Sequence, residues 1–553
     1  MKGFPGIRIS GWGRLLAVAV SLAGLWWISR KIDLTALGLV LGMARLKWFA
    51  AGFLLFGVCS GFATWRWHLL LRSGGLAVHS AATFRLLIIG HFFNALLFGP
   101  AGGDFAKTAL YARWHRFPFP DVLAISFFDR TLGGAGNVVF LLLSIGVAWF
   151  AGLFAGIAGR VSLGPVLGGL GLLVIFLGSC IYARHCFPKD SPIVRTLDGY
   201  VAMAGHLARR PRLAFTALIV SVLVHFTYSG VLGLALRSVS AQPFSWIRVF
   251  WAFPLISLAA SIPVSVAGAG IREGASLVLL GFCGISATDA VAASLLSLLI
   301  YVIWAFIGAF IWWREERLLK VAGERPVPQT ISVVIPTWNE AGTLPSTLER
   351  LRRIPEISEI LIADAESQDA TRQIAKENGC SVMMSSRGRG QQLRVAAQAA
   401  TGDVVLMLHA DTWLAPECGR ALINALRDST VVAGGFWKRF QPRNWWMSGS
   451  RFRCWIRLTF FGRVMGDQAL FVRREVLEKA GGVPAVPLME EFELCQRLRR
   501  HGRLALAPAT VFTSTRRFAK LGVARTYLRM WKVTALYYLG TPLQKLQAIY
   551  ERE

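Results

Sequence analysis

From residue 288 to residue 313 the only charged side chain is Asp289, at the very start, and apolar residues dominate the rest. As a helix, a run of that length crosses the roughly 30 Å hydrocarbon core of a bilayer. Comparable runs recur near 47–66, 121–152, 166–183, 213–236, 247–266 and 274–285. Another follows Lys2, Arg8 and Arg14 and ends near Ile28; it resembles a signal peptide but has no clean small-residue cleavage site, so it is expected to be a first span. The expectation is a polytopic α-helical membrane domain of about eight spans over residues 1–320. A hydrophobic content of 54% and a mean hydropathy of +0.50 agree with it.

Basic residues collect before the first span, in 66–85, in 184–212 and after the last span at Arg314, Arg317 and Lys320. With eight crossings these fall on one side, which the positive-inside rule makes cytoplasmic; Arg30, Lys31, Arg45 and Lys47 are exceptions. The expected location is the inner (plasma) membrane, multi-pass, with a cytoplasmic C-terminal domain. The net charge of +29 suits anionic lipid head groups and phosphorylated substrates. Nucleic acid is not an expected partner of a chain with so many apolar spans. The eight cysteines are scattered with no Cys-x-x-Cys pair, which points to reduced thiols with a packing role.

Three polar islands interrupt the apolar half. One is Phe98-Gly99-Pro100-Ala101-Gly102-Gly103-Asp104-Phe105-Ala106-Lys107, too rich in glycine and proline for a lipid-facing helix and expected to be re-entrant or to line an enclosed cavity. The second is Asp129-Arg130, expected to be an ion pair inside a span. The third runs from Ile262 through Pro263, Ser265, Gly268 and Gly270 to Arg272 and Glu273, a broken helix with charges at its exit. Such groups either staple helices together or serve a pathway or head-group site, with Gly103, Asp104, Lys107, Asp129, Arg130, Ser265, Arg272 and Glu273 as candidates. The Gly-Pro-x-Gly-Gly-Asp-x-x-Lys and Pro-x-Ser-x-x-Gly-x-Gly-x-Arg-Glu patterns resemble the flippase-like family related to the transmembrane part of lysylphosphatidylglycerol synthases, over most of residues 10–315. The resemblance implies handling of a lipid. No counterpart of the synthases' aminoacyl-transfer domain is visible.

Residues 321–329 read as a linker, and the composition then changes to alternating strands and helices, 330–553 forming a second domain. Strands are expected at 331–335, 360–363, 380–384 and from Val404, with helices between them, of which 341–353 carries Leu344, Leu348 and Leu351 on one face. This order argues for an α/β, Rossmann-like, mostly parallel sheet. Three strands end in polar residues: Pro336-Thr337-Trp338-Asn339-Glu340, Asp364-Ala365-Glu366-Ser367-Gln368-Asp369, and His409-Ala410-Asp411. Parallel strands bring these ends to one edge, where open α/β sheets bind ligands. Carboxylates there can accept from a base or ribose, and Arg387 and Arg389 of the basic glycine loop can meet a diphosphate.

Residues 331–550 resemble family 2 glycosyltransferases of the GT-A fold, in the arsenosugar-biosynthesis-type branch. The resemblance rests on Val-Val-Ile-Pro-Thr-Trp-Asn-Glu, Asp364 to Asp369, Leu-His-Ala-Asp-Thr, Gly466-Asp467-Gln468, Pro487-Leu488-Met489-Glu490-Glu491 and Thr513-Ser514-Thr515-Arg516-Arg517. It implies that Asp364 binds the base, that Asp411 is the metal-binding acid of the DxD motif, that Glu491 is the catalytic base, and that the anomeric centre inverts. His409 stands where the motif's first acid is usual; a neutral imidazole suits Mn2+ better than Mg2+. Glu491 stands where aspartate is usual, and two adjacent carboxylates at a helix start are expected to point in different directions. Asp467 is a candidate to orient the acceptor, Arg516 and Arg517 to clamp a phosphate, and Asn339, Glu340, Ser367 and Asp369 to line the donor site beside Pro336. The aromatic and basic segments 443–461 and 520–540 suit helices at a membrane interface or against the core.

Together these features point to a membrane glycosyltransferase. It would use a nucleotide-sugar donor, a divalent cation (Mn2+ or Mg2+) and a lipid or lipid-linked acceptor. The alternatives are a flippase whose second domain binds nucleotide sugar in a regulatory role, and a transferase with a small soluble acceptor.

Overall fold

The computed structural model describes residues 11–96, 100–152, 188, 191–240, 242–261, 268–323, 325–442, 447, 449–516, 518 and 522–551. The chain divides into two compact units, one of Met1–Leu76 with Ala81–Glu316, the other of Ala77–Ser80 with Arg317–Glu553.

The first unit is helical: α1 (Gly11–Ser29), α2 (Leu34–Gly42), α3 (Leu46–Ser73), α4 (Ser80–Leu96), α5 (Pro100–His115), α6 (Phe119–Phe150), α7 (Pro192–Ala208), α8 (Pro211–Val239), α9 (Trp246–Ser261), α10 (Ile271–Gly281) and α11 (Ala287–Ala322). Among the described residues four helices are long and apolar enough to cross a membrane, namely α3, α6, α8 and the Ala287–Lys320 part of α11. The segment expected at 274–285 corresponds to α10, whose 11 residues rise only about 16 Å, half a hydrocarbon core. The span expected at 166–183 lies outside the described residues, as do Phe98, Gly99 and Ser265.

The unit is apolar outside and charged within, as a bilayer solvent requires. Leu54, Leu142, Leu143, Phe215, Phe306 and Phe310 are exposed, whereas Arg66, Lys107, Asp129 and Glu273 are buried. Asp129 and Arg130 do not pair with each other. Adjacent helical residues diverge by about 100°, so each reaches a different helix. Arg66 of α3 meets Asp129 through two bonds of 2.7 and 3.1 Å and also donates to Ser221 Oγ at 3.1 Å. Arg130 pairs with Asp104, which also takes Lys107 at 2.8 Å. In the glycine-rich island, the described residues from Pro100 on are helical, Gly102 and Gly103 included. A Cβ at Gly103 would overlap the Gly90 carbonyl and Asn94, so the glycine permits the close approach of α5 to α4. Glu273 accepts from the Gly270 backbone (2.8 Å) at the start of its own helix and pairs with Arg272.

The second unit is built on one eight-stranded sheet, ordered β3-β2-β1-β4-β7-β6-β8-β5. Its elements are β1 (Ile331–Thr337), α12 (Leu344–Leu351), β2 (Ile357–Asp364), α13 (Thr371–Glu377), β3 (Ser381–Met384), α14 (Arg389–Ala399), β4 (Val404–Met407), β5 (Thr412–Leu414), α15 (Cys418–Leu426), β6 (Val431–Gln441), α16 (Ser450–Ile456), β7 (Leu470–Arg473), α17 (Arg474–Lys479), α18 (Glu490–Leu498), β8 (Arg503–Ser514), α19 (Val523–Tyr538) and α20 (Leu543–Glu551). The expected parallel arrangement accounts for β3-β2-β1-β4; β7 then joins β4 antiparallel, so the sheet is mixed.

Alternation along the strands makes two cores. Ile331, Val333 and Ile335 of β1 with Val404 and Leu406 of β4 face α12 and α15, meeting Leu344, Leu348, Leu351, Leu422 and Leu426. Val334, Val405 and Met407 face the other way, with Leu393, Ala396, Leu494 and Leu498 of α14 and α18. The result is a three-layer α/β/α sandwich whose sheet is covered on both faces.

Because Arg66 and Asp129 are both buried, removing one partner strands the other charge. Asp129→Ala should destabilise the detergent-solubilised protein by about 3–5 kcal/mol. An Arg66→Met/Asp129→Leu double substitution should recover much of that in a thermal unfolding assay; a double variant no more stable than the single one would contradict this account.

Candidate active site

β1 has parallel neighbours on both sides, β2 and β4, so the chain reverses its direction of winding at β1. A crevice opens at the C-terminal ends of strands flanking such a reversal. The loops after β1, β2 and β4 meet there.

The first two loops are laced together. Asp364 is fully buried; it accepts from Thr337 Oγ1 (2.9 Å), the Ser367 amide (2.9 Å) and Ser367 Oγ (2.6 Å). The Asn339 amide donates to Ser367 Oγ (2.9 Å), Asn339 Oδ1 accepts from the Gln368 amide (2.8 Å), and the Ala341 amide donates to Asp369 (3.1 Å). Asn339 holds a φ of 53°, a left-handed conformation that asparagine tolerates better than most residues. Asp364, Ser367, Asp369 and Asn339 thus shape the crevice by bonding one another, while Pro336 lies within β1. The turn Ala341 to Thr343 delays the helix, so α12 starts at Leu344 and not at 341.

Glu340 and Asp411 converge across the crevice on one guanidinium. Arg516 Nη2 lies 3.2 Å from Glu340 Oε1 and 3.8 Å from Asp411 Oδ2. Burial lifts the Asp411 carboxyl above the ordinary range; Arg516 opposes that shift and the Glu340 charge adds to it. Arg517 lies outside the described residues. Among the described residues no group of three or more His, Cys, Asp or Glu side chains gathers as a complete protein-made metal site would require. Asp411 and Glu340 are nevertheless hard oxygen donors whose mutual repulsion a cation relieves, and Mg2+ is commonly held by one or two carboxylates plus substrate phosphates. The residues therefore fit a divalent cation. His409 lies two residues before Asp411, and a His409 charge adds slightly to the lowering of the Asp467 carboxyl.

The second cluster centres on Arg389. Its Nη1 is 2.7 Å from Glu491 and 3.2 Å from Glu490, so the guanidinium expected to face a diphosphate instead bridges both acids. The two glutamates also do not diverge as expected: both are buried and both turn to Arg389. Met489, at φ 63°, sets their direction from the N-cap of α18. Glu491 accepts the Gly466 amide as well (3.1 Å), and a Cβ at Gly466 would collide with the Arg389 and Glu491 side chains. Burial, then the Glu491 charge, raises the Glu490 carboxyl to about 7 against the pull of Arg389. Burial would also raise Asp467, but Lys438 and Arg457 outweigh it and hold that acid below the usual carboxylate range.

Arg387 turns away from this cluster and stacks over Trp338, 3.9 Å from the ring centroid. Two contributors escaped the sequence. Lys438 of β6 pairs with Asp467; a lysine directly after the uncharged run Val431 to Trp437 was the available signal. Gln392 donates to the Thr337 (2.8 Å) and Ala363 (2.9 Å) carbonyls, tying α14 to the ends of β1 and β2.

Residues 332–477 match the model of glycosyl transferase family 2, and residues 14–309 match that of the lysylphosphatidylglycerol synthase TM region. Glycosyltransferase AglJ of Haloferax volcanii is 33% identical over 88 residues, 16% of this chain and 29% of its own length. Glucosyl-3-phosphoglycerate synthase of Petrotoga mobilis is 29% identical over 143 residues, 23% of this chain and 43% of its own. The chain thus spans less than half the length of these curated relatives. The mannosyltransferase PcManGT from Pyrobaculum calidifontis, solved with GDP-Man and Mn2+, is 20% identical over 41% of this chain and 69% of its own, with a TM-score of 0.29, too low to carry an argument. On the match over 14–309, the chain belongs to the lysylphosphatidylglycerol synthase TM region family, and it carries a glycosyl transferase family 2 domain after that region.

Proposed function

We propose that this chain is a membrane-bound glycosyltransferase that moves a sugar from a nucleotide-sugar donor to a lipid or lipid-linked acceptor, with inversion at the anomeric carbon. One observation carries the proposal. Two acidic clusters, Glu340–Asp411 with Arg516 and Glu490–Glu491 with Arg389, stand at the C-terminal edge of the sheet, and the Arg389 charge acts on Asp411 as well. One cluster suits a nucleoside diphosphate and the other an acceptor hydroxyl. The membrane-spanning unit, with the basic residues around its spans, supports a lipid acceptor, an inner-membrane location and a cytoplasmic second unit.

Asp411, with Glu340 beside it and His409 on the same loop, would hold a divalent cation, which supplies charge neutralisation for the departing diphosphate. Arg516, half exposed, would swing from the acids to phosphate oxygens. The Glu490–Glu491 pair takes the proton as the acceptor oxygen bonds to the anomeric carbon from the opposite face. The bond from that carbon to the diphosphate oxygen breaks, and its electron pair leaves with the nucleoside diphosphate. Arg389 and the Gly466 amide hold Glu491 in place, and Lys438 holds Asp467 at the side of the pair. In the lipid half, Asp104, Lys107 and Arg130 form a charged group that would bind a lipid phosphate. The relative named for glucosyl-3-phosphoglycerate favours a second reading, in which the acceptor is small and soluble and the membrane unit is an anchor. Stimulation of turnover by added lipid separates the two.

Asp411→Ala should abolish the Mn2+-dependent part of donor binding, measured by equilibrium dialysis over a panel of nucleotide sugars, while the protein stays folded in membranes. Unchanged affinity with Mn2+ present would refute this assignment. Glu491→Gln should keep donor binding and lower kcat by about 10²–10⁴, read as release of nucleoside diphosphate; wild-type turnover would remove the pair from the chemistry. Glu490 binds a proton below about pH 7 and loses it above. With a carboxylate acting as base, kcat/KM should therefore rise with pH through that range, and Glu490→Gln should displace the acid limb. A profile flat from pH 5.5 to 8.5 would argue against proton acceptance by this pair.

A further inference from the structure

The outward face of α19 is apolar. Ala524, Leu528, Trp531, Ala535 and Tyr538 are exposed along it and Leu539 just beyond it, with 67% of Leu528, 72% of Trp531 and 80% of Leu539 accessible. At about 100° per residue these positions share one arc roughly 100° wide, and Arg525 and Lys532 lie along one rim of it. The residues turned the other way, Thr526, Arg529 and Val533, are buried. The helix hides an arginine and a threonine and shows leucine and tryptophan, the reverse of a helix made to face water.

A further exposed aromatic adjoins it. Phe461 lies 6.3 Å from Tyr538 and extends the apolar face beyond the helix. A contiguous apolar surface of this kind marks an interaction site.

We propose that this patch is a bilayer-docking surface, in which Leu528, Trp531, Leu539 and Phe461 enter the head-group boundary and Arg525 and Lys532 meet anionic lipid phosphates. Large aromatics bordered by cationic residues are the composition of interfacial segments, where an amphipathic ring finds both of its preferred surroundings. The domain is also joined to a membrane-spanning unit by residues 323–330, which extend to at most about 28 Å, so a bilayer is always within its reach. The surface does not depend on which donor the crevice takes. It bears on the crevice all the same: Tyr537 donates to Glu493 (2.6 Å) and its ring lies 5.4 Å from Phe492, so α19 braces α18, the helix that begins with Glu490 and Glu491. Lipid engagement would steady the helix that carries the acceptor-side acids.

The test uses the full-length protein in nanodiscs, with Leu528→Cys or Trp531→Cys labelled by an environment-sensitive fluorophore and Glu349→Cys, exposed on α12, as the reference. The six described native cysteines are buried, and the unsubstituted chain taken through the same labelling gives the background. In nanodiscs of phosphatidylcholine with phosphatidylglycerol, emission at 528 and 531 should shift to the blue and be quenched by nitroxide-labelled acyl chains, with no such change at 349. Quenching should weaken in phosphatidylcholine alone. Labels at 528 and 531 as open to aqueous iodide as the one at 349 would overturn the proposal. Shielding from iodide without quenching by the lipid nitroxide would overturn it too, and would assign the patch to a second copy or another protein.

Discussion

The second unit's site closes on Arg389. Its guanidinium is the shared counter-charge of two adjacent buried carboxylates, and without it Glu490 and Glu491 would repel each other in a medium that screens poorly. Its position is dictated from several sides. A Cβ at Gly390 would meet the Pro484 and Val486 carbonyl oxygens at 2.7 Å, so only glycine lets the start of α14 come this close to the segment leading into α18. Gln392, one turn on, grips the ends of β1 and β2. The sheet edge, the basic loop and the helix carrying the acids are therefore one mechanical unit.

The same rule, that a buried charge is kept only with a partner, orders the membrane unit. Arg66 with Asp129, Asp104 with Lys107 and Arg130, and Glu273 with Arg272 and its own helix start each satisfy charge by contact between or within helices. The Arg66–Asp129 and Arg130–Asp104 pairs join separate helices, and the Asp104–Arg130 pair is the more exposed of the two.

The layered architecture of the second unit could be read from local pattern. Leu344, Leu348 and Leu351 announced a helix face, and the run from Val404 to His-Ala-Asp announced a strand ending at the ligand edge, because periodicity and strand ends are properties of neighbouring residues. What was not legible depended on distant partners. Arg389 looked like a diphosphate ligand because it sits in a basic glycine loop; its acids lie about a hundred residues further on. Asp129 and Arg130 looked like a pair because they adjoin in sequence; their partners, Arg66 and Asp104, lie on other helices. The antiparallel entry of β7 follows a long excursion through β5, β6 and α16 that no period of two or 3.6 encodes. Lys438 had no visible reason to be buried until Asp467 was beside it.

The claim that most needs testing is transfer of sugar into lipid. The direct measurement incubates membranes containing the full-length protein with a panel of nucleotide sugars labelled in the sugar, extracts with organic solvent, and follows label into the lipid phase. The account predicts label in that phase for at least one donor, dependent on a divalent cation and lost in the Glu491→Gln protein. Donor that binds while its label stays wholly in water, as intact donor or as a soluble glycoside, would contradict a lipid-directed transferase.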